Sequence, residues 1–314
     1  MGAALCVLAG LAAVNGLAWR HARAMTTFVA DGPRTAAPEA LSASQRLRVL
    51  VDGVRLPRPT NALHPADVGL PAETVRFPSG DGLWLEAWRI PAPASPAPRG
   101  TVLLFPGWGA GRASLLAQAR ELHALGWDCL LVDLRGCGGS QGERCTLGVR
   151  EALDVQAAVQ LAARWDPRPP VLHGVSLGAA ALLRAVHEQG VRPRGVILES
   201  PFARLQEAVQ ARFRLLGLPA SPGAELLLFW GGLELGVDPW THDPQAFASS
   251  VRCPALQLHG EQDPTVSTEQ AQALQAALAG PRALVRFPAA GHESLLGADP
   301  ARWRGAVADF LAGL

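Results

Sequence analysis

From residue 101 onward the chain alternates short, almost wholly apolar runs with longer helical stretches. The runs are "TVLLF" (101–105), "DCLLVD" (128–133), "PVLH" (170–173), "GVILE" (195–199), "ALQLH" (255–259) and "ALVRF" (283–287). A strand that is apolar along its whole length must be covered on both faces. Helices between successive strands supply that cover, so the alternation predicts a mostly parallel sheet between two helical layers, an α/β architecture. The helices are expected over 114–125, 147–165, 177–189, 268–278 and 300–311. Upstream, "TVRF" and "LWLEAWRI", separated by "PSGDG", predict an antiparallel hairpin leading into the sheet, and a Pro/Ala loop follows at 91–99.

One connection breaks the rhythm. Residues 201–250, between "GVILE" and "ALQLH", are far longer than a usual link between elements. They contain "ARLQEAVQARFRLLGL" and the apolar "AELLLFWGGLELG". The expectation is a helical cap inserted over the carboxyl ends of the strands, with Phe229 and Trp230 as candidate pocket residues. The rival reading of its apolar half is a helix lying on a membrane surface.

The first residues make a second apolar block. Residues 2–19 carry no charge, and at a helical rise they extend roughly 27 Å, enough for a bilayer core. No basic residue precedes this block, whereas a secretory signal has a basic start. Arg20 and Arg23 follow it, which by the positive-inside rule puts the remainder of the chain on the cytoplasmic side. The division expected is an anchor or signal segment at 1–24, a juxtamembrane spacer at 25–73 with a helical stretch at 41–54, and a main domain at 74–314. If the segment is instead a cleaved signal, the domain is exported.

The charge balance bears on partners. The 28 basic residues, all arginine, are met by 27 acids, for a net charge of +1 with no basic stripe. That excludes an electrostatic nucleic-acid surface. The five cysteines, Cys6, Cys129, Cys137, Cys145 and Cys253, include no C-x-x-C pair of the kind that holds a metal. Cys137 and Cys145 flank one loop and can pair only in an oxidising compartment.

Against this frame the pentad Gly174-Val175-Ser176-Leu177-Gly178 stands directly between the strand "PVLH" and a helix. Strand, sharp turn and helix are the context in which a G-x-S-x-G serine becomes an exposed nucleophile. Gly174 and Gly178 allow the close approach that such an elbow requires. A serine hydroxyl needs a base, and the base an orienting acid. Asp263 lies in "GEQDPTVS" after one strand, and His292 in "PAAGHESLL" after the next. Glu199 and Glu261 are the rival acids. The two oxyanion-binding N–H groups are expected at Leu177, which starts the elbow helix, and at Trp108 in "FPGWGAG". His173 and His259 end strands and read as structural, and Ser140 reads as a turn residue.

From about residue 74 to the end, the chain resembles the α/β-hydrolase superfamily. Within it, the resemblance is to bacterial serine hydrolases related to lysophospholipases, monoacylglycerol lipases and serine aminopeptidases. The matching stretches are "PGWG", "DLRGCGGS", "GVSLG", "ESPF", "HGEQDPTV" and "GHE". Pro106 and Cys137 stand where many relatives have His. The resemblance implies hydrolysis of a carboxylic ester or lipid through an acyl-enzyme, chemistry that calls for no metal and no organic cofactor. A serine peptidase of the same fold and a non-catalytic scaffold are the alternatives. The expected partners are a small ester or lipid substrate and a membrane; nothing in the motifs specifies an oligomeric state.

Overall fold

The computed structural model describes residues 2–93 and 97–314. Part of the expected 91–99 loop, residues 94–96, lies outside the described residues. The strands are β1 (Glu73–Pro78), β2 (Trp84–Ile90), β3 (Thr101–Phe105), β4 (Asp128–Asp133), β5 (Val171–Val175), β6 (Gly195–Glu199), β7 (Ala255–Gly260) and β8 (Arg282–Phe287). The helices are α1 (Gly2–Thr26), α2 (Ala43–Asp52), α3 (Leu116–Ala124), α4 (Glu151–Ala162), α5 (Leu177–Glu188), α6 (Leu205–Leu215), α7 (Gly223–Leu235), α8 (Pro244–Ala248), α9 (Thr268–Ala277), α10 (Leu295–Ala298) and α11 (Pro300–Ala312).

The eight strands form one sheet in the order β1-β2-β4-β3-β5-β6-β7-β8. β1 and β2 pair antiparallel with Phe77 opposite Leu85, and β2 joins β4 antiparallel. Every later pairing is parallel. Strands β3, β5 and β6 are buried over almost every residue, which is why their sequences are continuous apolar runs and not alternating ones. One face packs on α4, α5, α8 and α9 through residues such as Val155, Leu182, Phe247 and Leu274. The other packs on α3, α10 and α11 through Leu122, Leu295, Trp303 and Val307.

Two expectations need adjusting. The helix expected from 147 starts at Glu151, because Leu147 and Gly148 take positive φ. The buried Glu151 carboxylate accepts from Thr146 N–H, Thr146 Oγ1 and Gly148 N–H at 2.6–2.8 Å, so a capped loop replaces the first turn.

The stretch read as a spacer is packed against the sheet domain. Phe28 and Leu56 are buried in its core. Thr27 and Val29 form isolated bridges with Arg144 and Pro57. Asn61 Nδ2 donates to the fully buried Asp133 carboxylate at 2.8 Å, and Asn61 Oδ1 accepts from Ala113 N–H at 3.0 Å. Arg58 donates to the carbonyls of Gly138, Ser140 and Gly142. These groups lie at the end of β4, in the glycine-rich loop after it and in the turn before α3, buried or half-buried, where unpaired polar atoms are costly, and the N-terminal segment supplies their partners.

Residues 201–250 do form a helical excursion, α6 to α8, between β6 and β7. Among the described residues one helix is long and apolar enough to cross a membrane, over Ala4–Thr26. Its outer residues Leu5, Leu8, Leu11 and Val14 are exposed, while Ala22, Met25 and Thr26 are buried against α7 and its neighbours.

Candidate active site

Ser176 sits between β5 and α5 with φ +50° and ψ −109°, a backbone conformation that L residues rarely adopt. The flanking glycines are forced by contact. A Cβ on Gly178 would lie 2.3 Å from the Phe105 carbonyl oxygen, and one on Gly174 would lie 2.5 Å from the Ala179 nitrogen. The turn is also tied to the neighbouring strand, since Ser176 N–H donates to the Glu199 carbonyl at 2.8 Å.

Asp263 and His292 reach this turn from loops after β7 and β8. His292 Nδ1 donates to Asp263 Oδ2 at 2.6 Å, and Ser176 Oγ donates to His292 Nε2 at 3.1 Å. Burial pushes the Asp263 carboxyl upward, but the His292 hydrogen bond and charge, with the Val266 and Thr265 amides, outweigh it and hold its pKa below the usual range. Asp263 therefore stays ionised and fixes the imidazole so that Nε2 accepts from the serine. A relay of this kind can take the hydroxyl proton while oxygen attacks a carbonyl carbon.

The rival acids are engaged elsewhere. Glu199 is buried and accepts from His173 Nε2 at 2.7 Å and from Trp303 Nε1 at 2.8 Å. Glu261 pairs with Arg286 at 3.2 Å. His259 is fully buried, and burial pushes its pKa down. Ser140 Oγ donates to the Asp133 carbonyl and accepts from Glu86 N–H, inside the glycine-rich loop. Cys137 and Cys145 are both buried and unpaired.

Leu177 is the first residue of α5, so its N–H has no intrahelical partner. The Gly107–Trp108 turn abuts the elbow: a Cβ on Gly107 would lie 3.7 Å from Ser176 Cβ. Trp108, Leu177, Ser176 and His292 line one open cleft of about 890 Å³, at the upper end of the size of small-molecule sites. Its apolar walls come from α6 (Leu205, Val209, Leu215) and from Met25 and Leu56.

Sequence reasoning missed the contribution of the N-terminal segment, for which no local motif exists. Residues 34–38 and 54–56 form part of the cleft wall. Arg34 donates to the carbonyls of both Trp108 and Gly109, and its guanidinium lies over the Trp108 ring. The assignment of Phe229 and Trp230 to the pocket is corrected. Neither lines the cleft. Trp230 turns towards α1, donating Nε1–H to Asn15 Oδ1 at 3.0 Å, and Phe229 is 54% exposed. The inner face of α7 is made by Leu227 and Leu228, because a helix can bury only one stripe.

Comparison with known proteins places this geometry. Residues 96–234 match the family described as serine aminopeptidase, S33. The uncharacterized protein Rv2307c of Mycobacterium tuberculosis is 31% identical over 217 residues, covering 68% of this chain and 69% of that one. The lysophosphatidylserine lipase ABHD12 of Macaca fascicularis is 30% identical over 178 residues, 54% of this chain and 42% of the lipase. Among solved structures, the esterase Pf2001 of Pyrococcus furiosus shares the fold, with a TM-score of 0.65 at 21% identity over 82% of this chain and 98% of that one. With its mostly parallel eight-stranded sheet and these relatives, the chain belongs to the α/β-hydrolase superfamily.

Proposed function

We propose that the protein is a membrane-anchored serine hydrolase that cleaves carboxylic esters with a lipid-like acyl group. The observation that carries this reading is the hydrogen-bonded line Ser176–His292–Asp263 opening into a large cleft with apolar walls. Ser176 Oγ attacks the acyl carbonyl as His292 Nε2 takes its proton. The Trp108 and Leu177 amides receive the oxyanion, and such donors are each worth about 2.7–4 kcal/mol in the transition state. Collapse of the tetrahedral intermediate breaks the ester bond, with His292 returning the proton to the leaving alcohol. Water, activated by the same imidazole, then releases the acid and restores Ser176.

The S33 match keeps a peptidase in play. An aminopeptidase must hold a substrate ammonium with an acid, and of the cleft's two described glutamates Glu199 is buried and Glu293 exposed. Glu199 is taken up by His173 and Trp303, and Glu293 accepts from Gly291 N–H. Arg34, Arg55 and Arg212 line the same cleft. The engaged Glu199 and the apolar walls of the cleft favour an ester with a lipid-like acyl group. The exposed apolar half of α1 supports the anchor, with the hydrolase domain on the cytoplasmic side; a cleaved signal is the competing reading.

The test is a panel of p-nitrophenyl esters of rising chain length beside aminoacyl anilides, with fluorophosphonate labelling. Ester turnover and labelling at Ser176 are expected, with loss of about 10⁶ in kcat in Ser176→Ala. Turnover of the anilides alone would replace esterase by peptidase. Labelling that persists in Ser176→Ala would remove the site assignment.

A further inference from the structure

The cap helix α7 has two apolar faces. Leu227, Leu228 and Leu235 are buried towards α6 and the domain. Phe229 and Leu233, four residues apart and so on one stripe, are 54% and 66% exposed. A helix of a soluble surface would place polar residues there. What adjoins this stripe is α1. The position of Gly231 lies against Ala22, with a Cβ there 3.7 Å from the Ala22 Cβ. Trp230 Nε1 donates to Asn15 Oδ1 at 3.0 Å, and Phe229 packs edge-on against the Trp230 ring at 5.2 Å.

These contacts set the depth of α7. Asn15 is the polar interruption of the uncharged run 2–19. Both ends of its amide have a partner within the molecule, since Nδ2 donates to the Leu11 carbonyl and Oδ1 accepts from Trp230. That is what a polar side chain needs where water is scarce. At a helical rise Asn15 lies about 6 Å before Trp19, on the bilayer side of it. Glu234 marks the polar boundary, drawing in Trp19 Nε1, Arg23 and Arg144 at 2.9–3.3 Å. Tryptophans beside such a charged cluster suit the membrane–water interface.

We propose that the exposed stripe of α7 is a second membrane-contact surface, with Phe229 and Leu233 in the interfacial zone of the bilayer that α1 crosses. The proposal rests on α1 being a membrane anchor. Its occupant is a lipid surface because the stripe continues the exposed apolar side of α1, and interfacial helices bury such faces about 5–10 Å deep. It also gives the cap's position a purpose. A small apolar cavity at the α1–α7 crossing shares Met25, Leu147, Leu205 and Val209 with the cleft that holds Ser176. The side chains shared by the two spaces, which stand between the α1–α7 crossing and the cleft of Ser176, are all apolar.

The experiment uses the full chain in phosphatidylethanolamine/phosphatidylglycerol nanodiscs. Cys6 and Cys253 are replaced by Ser, leaving the buried Cys129, Cys137 and Cys145. Single spin labels are introduced through Phe229→Cys, Leu233→Cys, Leu8→Cys on α1, and Leu63→Cys, an exposed apolar site outside both helices. Accessibility to oxygen and to a water-soluble nickel complex is then measured. Labels at 229 and 233 are expected to favour oxygen as the label at 8 does, several-fold over the label at 63. If 229 and 233 behave like 63 while 8 favours oxygen, the α7 contact is wrong and the anchor stands. If 8 also behaves like 63, the anchor and the proposal fall together.

Discussion

Arg34 donates through Nη1 to the carbonyl oxygen of Gly109 at 2.5 Å, although 75 residues separate them. Its Nη2 donates to the Trp108 carbonyl at 3.2 Å. A residue from the N-terminal segment thereby holds the two peptides that follow Trp108 Cα, in the turn whose Trp108 N–H is proposed to bind the oxyanion. Arg34→Ala is expected to lower kcat on a short ester roughly ten-fold, about 1.4 kcal/mol of transition-state stabilisation, with KM little changed. Thermal melting serves as the control. A fall in Tm with kcat intact would make Arg34 structural only.

Asp263 and Glu199 separate by role. Asp263→Asn is expected to lower kcat by about 10⁴, because His292 then loses the partner that sets its tautomer. Glu199→Gln keeps an oxygen for His173 and Trp303, and is expected to change kcat by less than about ten-fold while lowering Tm through the weakened buried bonds. Steady-state kinetics on both variants with one ester checks the assignment; reversed effects would move the acid to the end of β6.

Stability is expected to fall with acidification through one histidine in particular. Burial pushes the His242 pKa down to about 3, with the Arg184 guanidinium, 3.2 Å from Nδ1, adding to the shift. In the unfolded chain the same group titrates near about 6.5. Between these values the unfolded state holds the extra proton, so stability rises with pH and is lost as pH falls from about 6.5 towards 3, by up to about 1.4 kcal/mol per pH unit. His259, also lowered by burial, adds in the same sense. Urea unfolding from pH 4 to 7 should show a flatter slope in His242→Asn than in the wild type.

Truncation should distinguish the two halves of α1. The full chain is expected to stay in the membrane fraction after a high-salt wash, since burial of an apolar span is insensitive to screening. Removing residues 1–13 takes away much of the exposed span and leaves Asn15, Trp19, Ala22 and Met25 on α7; that protein is expected to be extracted by alkaline carbonate and to keep its Tm. Removing 1–24 takes Ala22 and the Trp19 and Arg23 bonds to Glu234 and uncovers Leu227 and Leu228. A loss of about 1–3 kcal/mol is expected, seen as a Tm several degrees lower. Equal melting of the two truncated proteins would show that α1 contributes no packing.

The sheet and the meeting of Ser176, Asp263 and His292 were legible in the sequence because both follow from local pattern. Continuous apolar runs separated by helices fix a parallel sheet, and in a parallel sheet the loops after successive strands open on one edge. Residues just past β5, β7 and β8 then share that edge, and the loop after β8 carries His292 across to Ser176. The tertiary structure alone decided the rest. Residues 26–72 lack the periodicity of a core element, yet Arg34 and Arg58 satisfy loop carbonyls, and Asn61 the carboxylate at the end of β4, more than 50 residues away. Long-range bonds from side chain to backbone leave no repeat in the sequence. The same limit applies to α7, which is apolar on nearly every side, so composition could not say which stripe faces inward. Packing chose it: Leu227 and Leu228 turn inward, Trp230 is turned to Asn15 by α1, and Phe229 is left outside.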